Sequence, residues 1–294
     1  MKESFVSTNF SPDKLEQIER ANEIIANYQA QGLKLTLRQL YYQHVVRNYI
    51  TNEEKSYKRL GKLLSDARLA GLTDWDAIED RVRVPVVPSQ WDSLEDILES
   101  VYASFRLPRW ENQSHYAELW VEKDALSGVL RPMAREFHVT MMVNKGYSSQ
   151  SAMYEASKRF IEAEERGQLT RLFYLGDHDP SGEDMVRDIQ DRLETFGSQV
   201  IVTKIALTMP QIVQYNPPPN PAKMSDSRAD KYVAKHGAES WEVDALPPEA
   251  LQDLIREALE SVVDAAKMNA VMKREETEKE LLRKAVKNLR GTNA

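Results

Sequence analysis

The chain has 294 residues, 41% of them hydrophobic and 29% charged, with no cysteine and a formal net charge of −7. That composition excludes the disordered and membrane-spanning classes, and the lack of cysteine removes disulfides, thiolate zinc sites and cysteine nucleophiles together. The negative balance argues mildly against a nucleic-acid enzyme, because duplex affinity rests on Lys and Arg, unless the cations are gathered on one face.

The length exceeds one average domain and falls short of three, so two domains are expected, 1–110 and 111–294. The first residues, MKESFVSTNFSPDK, are polar and lack an apolar signal segment, which predicts a cytoplasmic protein without membrane attachment.

Apolar residues recur at helical spacing over residues 12–31, with Leu15, Ile18, Ile24, Ile25 and Tyr28 on the buried side and Gly32 as the stop. Thr36 is a suitable N-cap for a second helix, LRQLYYQHVV. A third runs from about Glu53 to Ala70, with Lys55, Lys58, Arg59, Lys62 and Arg68 mostly off its apolar side and Gly71 at its end. A helical turn follows near Trp75, then an extended piece halted by Pro85 and Pro88. Three helices and a short wing suggest a winged helix-turn-helix, although a plain three-helix bundle has the same pattern. Another amphipathic helix spans Ser93 to Phe105, and Pro108 to Ser114 is the best domain boundary.

From Tyr116 strands and helices alternate. The strands are YAELWV, VTMMV, RLFYL and QVIVTKIAL, and the helices begin near Ala125, Ser149 and Gly182. This predicts an α/β unit with a mainly parallel, Rossmann-like sheet, whose ligand groups lie past the carboxyl ends of its strands. Beyond Thr208 the pattern weakens to a proline-rich connector, QYNPPPNPAK, a helix from about Pro248 to Val263 and a charged helix over 275–290. The prolines suit a rigid loop, or a ligand for another protein.

The carboxylates fall where that sheet would put a site. Glu122 follows the strand ELWV, and Asp177 and Asp179 follow LFYLG. If the strand continues, residues two apart point the same way, so Asp177 and Asp179 converge while His178 turns away. Paired oxygen donors suit Mg²⁺, which keeps several waters and recruits phosphate oxygens; Glu122 could join them as a ligand or act as general acid or base. The plainer alternative is that these residues cap the helices that follow. The string GDHDPSG turns tightly into a helix and favours a built site.

Glu122, then KGYSS, then GDHDPSG resembles the Toprim domain of topoisomerases, primases and related nucleases, and within it the A subunit of topoisomerase VI and its meiotic double-strand-break relatives. The motif Asp-x-Asp-Pro-x-Gly matches Asp177, Asp179, Pro180 and Gly182. The family also carries a winged helix before the Toprim unit, with a nucleophilic tyrosine in Arg-x-x-Tyr-Tyr, matched here by Arg38, Tyr41 and Tyr42. The resemblance covers about 36–84 and 116–205. It implies Mg²⁺ on Glu122, Asp177 and Asp179, attack on DNA by Tyr42 with Arg38 beside it, and a homodimer in which one protomer's tyrosine meets the other's metal.

Arg38 shares a helix face with Tyr42, one turn away. Read from the residues alone, Tyr41 and Tyr42 serve equally as helix core, and Lys145 of KGYSS either contacts phosphate or lies along the surface. The chain is short for a topoisomerase VI A subunit and is more similar to stand-alone relatives on phages and mobile elements. It has no GxxxxGK motif, so any ATP-driven gating would need a separate ATPase subunit.

The third helix, with Tyr57 among its cations, suits a recognition helix on double-stranded DNA, or an ordinary solvated face. The reading is therefore an Mg²⁺-dependent DNA-breaking transesterase. Its alternatives are a hydrolytic nuclease of mobile-element or defence type and a catalytically inactive DNA-binding scaffold.

Overall fold

The computed structural model describes residues 2–78, 88–144, 146 and 148–291, with 285–291 described by backbone alone. Most of the segment expected to form a wing, 79–87 including Pro85, lies outside the described residues, and so does Lys145.

Three helices open the chain: α1 (Pro12–Gln29), α2 (Leu37–Val46) and α3 (Glu54–Leu69). α1 buries Ile18, Ala21, Ile24, Ile25 and Tyr28, but Leu15 is 46% exposed, because its first turn precedes the stretch that meets the other helices. At the start of α2, Thr36 and Gln39 form a reciprocal capping box, which satisfies two otherwise orphaned amides and fixes where the helix begins. Every residue from Gln39 to Val45 is buried. α2 is enclosed because α1 and α3 pack on it while a turn at Val243–Ala245 meets it from the α/β unit.

α4 (Leu94–Ser104) packs on the last helix, α11 (Ala265–Gly291). Glu275 of α11, 4% exposed, fixes the segment after α4 by accepting from the Leu107 amide at 3.0 Å and from Arg109 Nη2 at 3.2 Å.

The α/β unit comprises β1 (His115–Val121), α5 (Ser127–Glu136), β2 (Thr140–Val143), α6 (Gln150–Glu165), β3 (Leu169–Leu175), α7 (Pro180–Thr195) and β4 (Ile201–Ala206). Its four strands pair in the order β2-β1-β3-β4, all parallel. Alternation along the strands builds two cores. Ala117, Leu119, Val121, Phe173 and Leu175 face α5 and α10 (Pro248–Glu260), and Trp120, Leu172 and Tyr174 face α6 and α7. Both faces of the sheet are thus covered. Glu118, fully buried in β1, is held by Arg159 of α6 through Nε at 2.6 Å and Nη2 at 2.9 Å.

The chain leaves β1 towards β2 on one side and returns to β3 on the other. The crevice past β1 and β3 is therefore the switch point at which open α/β sheets collect ligands.

Between β4 and α10 the expected proline-rich connector is more structured than predicted. It holds α8 (Met209–Tyr215), a two-residue hairpin of β5 (Asn220–Pro221) with β6 (Glu239–Ser240), and α9 (Ala229–His236) between those strands. Elements of two to eight residues are too short to show a period. No helix among the described residues is long and apolar enough to cross a membrane.

Candidate functional site

The capping box orients α2 so that Arg38 and Tyr42 share a face. The Arg38 guanidinium lies 5.8 Å from the Tyr42 ring centre. Arg38 also bonds Glu242, and its Nε is 2.9 Å from Asp244 Oδ2. The two adjacent tyrosines divide their roles. Tyr41 donates to Asn52 Oδ1 at 2.9 Å and packs edge-on against Tyr57, as a core residue would. Tyr42 lines a cavity of about 580 Å³ together with Arg38, Asp177, Asp179, Asn220 and Glu242.

Glu122 extends the β1 ladder by one rung, its amide donating to the Leu175 carbonyl at 2.9 Å. Its Oε2 accepts from the Asp177 amide at 3.0 Å, so the carboxylate is bound to the backbone of the GDHDPSG turn. Asp177 is 7% exposed; Oδ1 accepts from the Val243 amide at 2.9 Å and Oδ2 is 2.8 Å from Lys123 Nζ.

Asp179 is the N-cap of α7, its Oδ1 accepting from the Gly182 amide at 2.6 Å and the Ser181 hydroxyl at 2.8 Å. The expected two-residue alternation does not operate here because β3 ends at Leu175, before the aspartates. Asp177 and Asp179 border the same cavity yet bond different partners. The turn is tight as expected: a Cβ on Gly182 would stand 2.1 Å from the Asp177 carbonyl oxygen.

Among the described residues, two groups of three potential donors lie within 4.8 Å of one another, Asp177–Glu242–Asp244 and His178–Glu183–His236. Glu122 and Asp179 belong to neither. Lys123 Nζ stands in the first group, 2.6 Å from Glu242 Oε2 and 3.2 Å from Asp244 Oδ1.

The charges act on one another. Burial, and then Asp177, raises the Glu122 carboxyl above the usual range, with Asp179 adding to the effect. Burial likewise raises Asp177, against the opposing pull of Lys123. Burial alone would lower the Lys123 ammonium, but Asp244 and Asp177 beside it carry it above the ordinary lysine range. Burial and then Asp244 raise the Tyr42 phenol, with Arg38, Lys123 and an Asn220 hydrogen bond opposing. Carboxylates that raise one another's proton affinity form a pocket that favours cations.

His178, expected to turn away from the aspartates, is buried and bonds Tyr232 through Nδ1 at 2.9 Å, while its backbone pairs with Trp241. Burial, opposed by Glu183, lowers its imidazole to about 4, so it is neutral near pH 7.

Of the cations expected to meet DNA, Lys55, Lys58, Arg59 and Lys62 are exposed on α3, Lys58 in a 2.6 Å pair with Glu54. Arg68 is engaged in packing: it lies over the Trp75 ring at 4.7 Å and donates to the Trp75 carbonyl at 2.8 Å.

Lys123, Glu242 and Asp244 were not anticipated as site residues. Lys123 is adjacent to Glu122, but its long side chain carries no directional signal. Glu242 and Asp244 lie more than sixty positions beyond Asp177, in a segment without a recognisable strand or helix before Pro248. Comparison with protein-family models and with curated proteins finds no match to this chain.

Proposed function

We propose that the chain is a Mg²⁺-dependent DNA-breaking protein of topoisomerase VI A type, with a winged-helix unit before a Toprim unit. The observation that carries this reading is that Tyr42 and Arg38 line one cavity with Asp177 and Asp179.

In the reaction, the Tyr42 phenol gives up its proton as its oxygen attacks a backbone phosphorus. The bond from phosphorus to the leaving sugar oxygen breaks, that oxygen takes up a proton, and a tyrosyl phosphodiester remains. Arg38 contributes positive charge beside the phenol, favouring phenolate and opposing the negative charge that develops on the phosphate. Asn220 lines the cavity beside the phenol and opposes the rise in its pKa.

The donor set fits a hard divalent ion: all the groups are carboxylates, with Asp177 raising the proton affinity of Glu122 and Asp244 raising that of Asp177. Asp177 would hold the ion with Glu122 and Asp179, or with Glu242 and Asp244, and is common to both sets. When bound, Mg²⁺ supplies charge neutralisation at the phosphate and leaving oxygen. A homodimer would bring two such cavities to the two strands of a duplex, each with tyrosine and carboxylates from one protomer in place of the exchanged pairing that the resemblance implies, and with the cations of α3 along its backbone.

A hydrolytic nuclease is the second reading, favoured by the Tyr42 side chain, only 4% exposed and with its phenol raised towards the protonated form. Supercoiled DNA incubated with Mg²⁺ separates the two. Wild type should nick or linearise it and leave protein attached to DNA ends, whereas Tyr42→Phe and Asp177→Asn, each confirmed as folded, should not. Cleavage by Tyr42→Phe without adducts selects hydrolysis, and DNA binding without cleavage by wild type rejects both.

A further inference from the structure

The geometry points to a second metal site, for a borderline ion such as Zn²⁺ or Co²⁺, formed by His178, Glu183 and His236 on the α7–α9 side of the unit. The three come from different places: the turn after β3, the first turn of α7 and the last residue of α9. His178 Nε2 is 3.8 Å from Glu183 Oε1, and His236 Nε2 is 3.9 Å from Glu183 Oε2. These separations exceed hydrogen bonds. One donor atom from each residue lies within 4.8 Å of the others, and ligands at 2.0–2.1 Å around a tetrahedral ion stand roughly 3.3 Å apart, so closures of at most about 1.5 Å give the metal-bound spacing.

The surroundings orient the donors as metal sites require. The Tyr232 hydroxyl lies 2.9 Å from His178 Nδ1 and also 2.9 Å from the carbonyls of His178 and Glu239. The hydroxyl has one hydrogen for these three neighbours; when a carbonyl takes it, Nδ1–H donates to the hydroxyl oxygen. Nε2 then keeps its lone pair, directed towards Glu183. A partner on the far ring nitrogen that fixes the tautomer is the usual second layer of a histidine metal site.

Lys204 Nζ, 2.7 Å from Glu183 Oε1, holds the carboxylate in place. A cavity of about 340 Å³ bordered by Glu183, Tyr232 and His236 gives solvent access for a fourth ligand. Two imidazoles and one carboxylate select Zn²⁺ or Co²⁺ over Mg²⁺, which separates this site from the all-carboxylate cavity.

The test is titration of the full chain with Co²⁺ and Zn²⁺ in excess Mg²⁺, followed by calorimetry and by the visible absorption of four-coordinate Co²⁺. One ion should bind per chain, and affinity should fall by about tenfold or more in both His236→Ala and Tyr232→Phe. Glu242→Gln should bind like wild type. His236 lies at the end of its helix and Tyr232→Phe preserves shape; circular dichroism checks that both variants fold. Absence of Co²⁺ uptake by wild type, unchanged affinity in His236→Ala, or loss in Glu242→Gln alone would overturn the assignment.

Discussion

Lys123 Nζ lies 2.8 Å from Asp177 Oδ2, and the same ammonium reaches Glu242 and Asp244. The ammonium thus touches all three carboxylates, in the position a divalent cation would favour, while Arg38 approaches Glu242 and Asp244 from the α2 side. Lys123→Met keeps much of the side-chain volume and removes the charge, leaving the fully buried Asp244 side chain and the largely buried Asp177 with less compensation. Loss of one partner from a buried ion pair costs about 3 kcal/mol, so urea unfolding should show a destabilisation of that order. Mg²⁺ should raise the melting temperature of the variant more than that of wild type, because no ammonium competes. Equal Mg²⁺ responses would mean that the ion does not use these carboxylates.

Gly182 lets the turn after β3 pass close to its own backbone. Gly182→Ala places a methyl group 2.1 Å from the Asp177 carbonyl oxygen, a distance that only backbone movement can relieve. Overpacking of this kind costs about 2 kcal/mol. Because Asp177 and Asp179 flank the displaced peptide, Mg²⁺ affinity should fall along with stability, and calorimetry reads both. A variant with native stability and native Mg²⁺ binding would show that the close approach is not needed.

Burial raises the Glu275 carboxyl, but the Leu107 amide and Arg109 outweigh it, and the group ends below the ordinary glutamate range. A carboxyl with a depressed folded pKa stabilises the fold above its unfolded value of 4.5, and that contribution is lost as pH falls through the folded value. Glu275→Gln should therefore cost about 2 kcal/mol near pH 7, typical of a charged buried hydrogen-bond set, and almost nothing at about pH 2. Urea titrations of wild type and variant at both pH values give the comparison. A gap that persists in acid would assign the loss to shape instead of charge.

The periodic parts of the chain were legible. α2 begins where Thr36 predicts it, the four strands follow the apolar runs, and the crevice past β1 and β3 follows from alternation between strand and helix. The site was legible only where a residue abuts a strand. Glu122, Asp177 and Asp179 could be singled out because strand ends are informative, whereas the partners of Asp177 could not. Val243, Glu242 and Asp244 reach it through a non-periodic turn whose position depends on how α10 packs against α5. The expected convergence of the two aspartates assumed an extended backbone, which ends two residues too early.

On α3, the exposed cations proposed to meet DNA and the packed Arg68 should respond differently to substitution. Lys55, Arg59 and Lys62 follow one another at spacings of four and three on α3, so they form a stripe. The first turn of that helix, with Glu54 and Tyr57, borders the cavity that contains Tyr42. A duplex laid along the stripe would bring a backbone phosphate to the mouth of the cavity, and each phosphate contact would release counterions. Changing any one of the three to Ala should weaken DNA binding across all sequences and reduce the slope of log affinity against log salt by about one. Arg68→Gln should behave differently. Its guanidinium is committed to the Trp75 ring and carbonyl, so the variant should lose stability and leave the salt slope unchanged. Fluorescence anisotropy with duplex DNA over a salt series distinguishes the cases. Equal slopes for wild type and all three stripe variants would remove α3 from the DNA-binding surface.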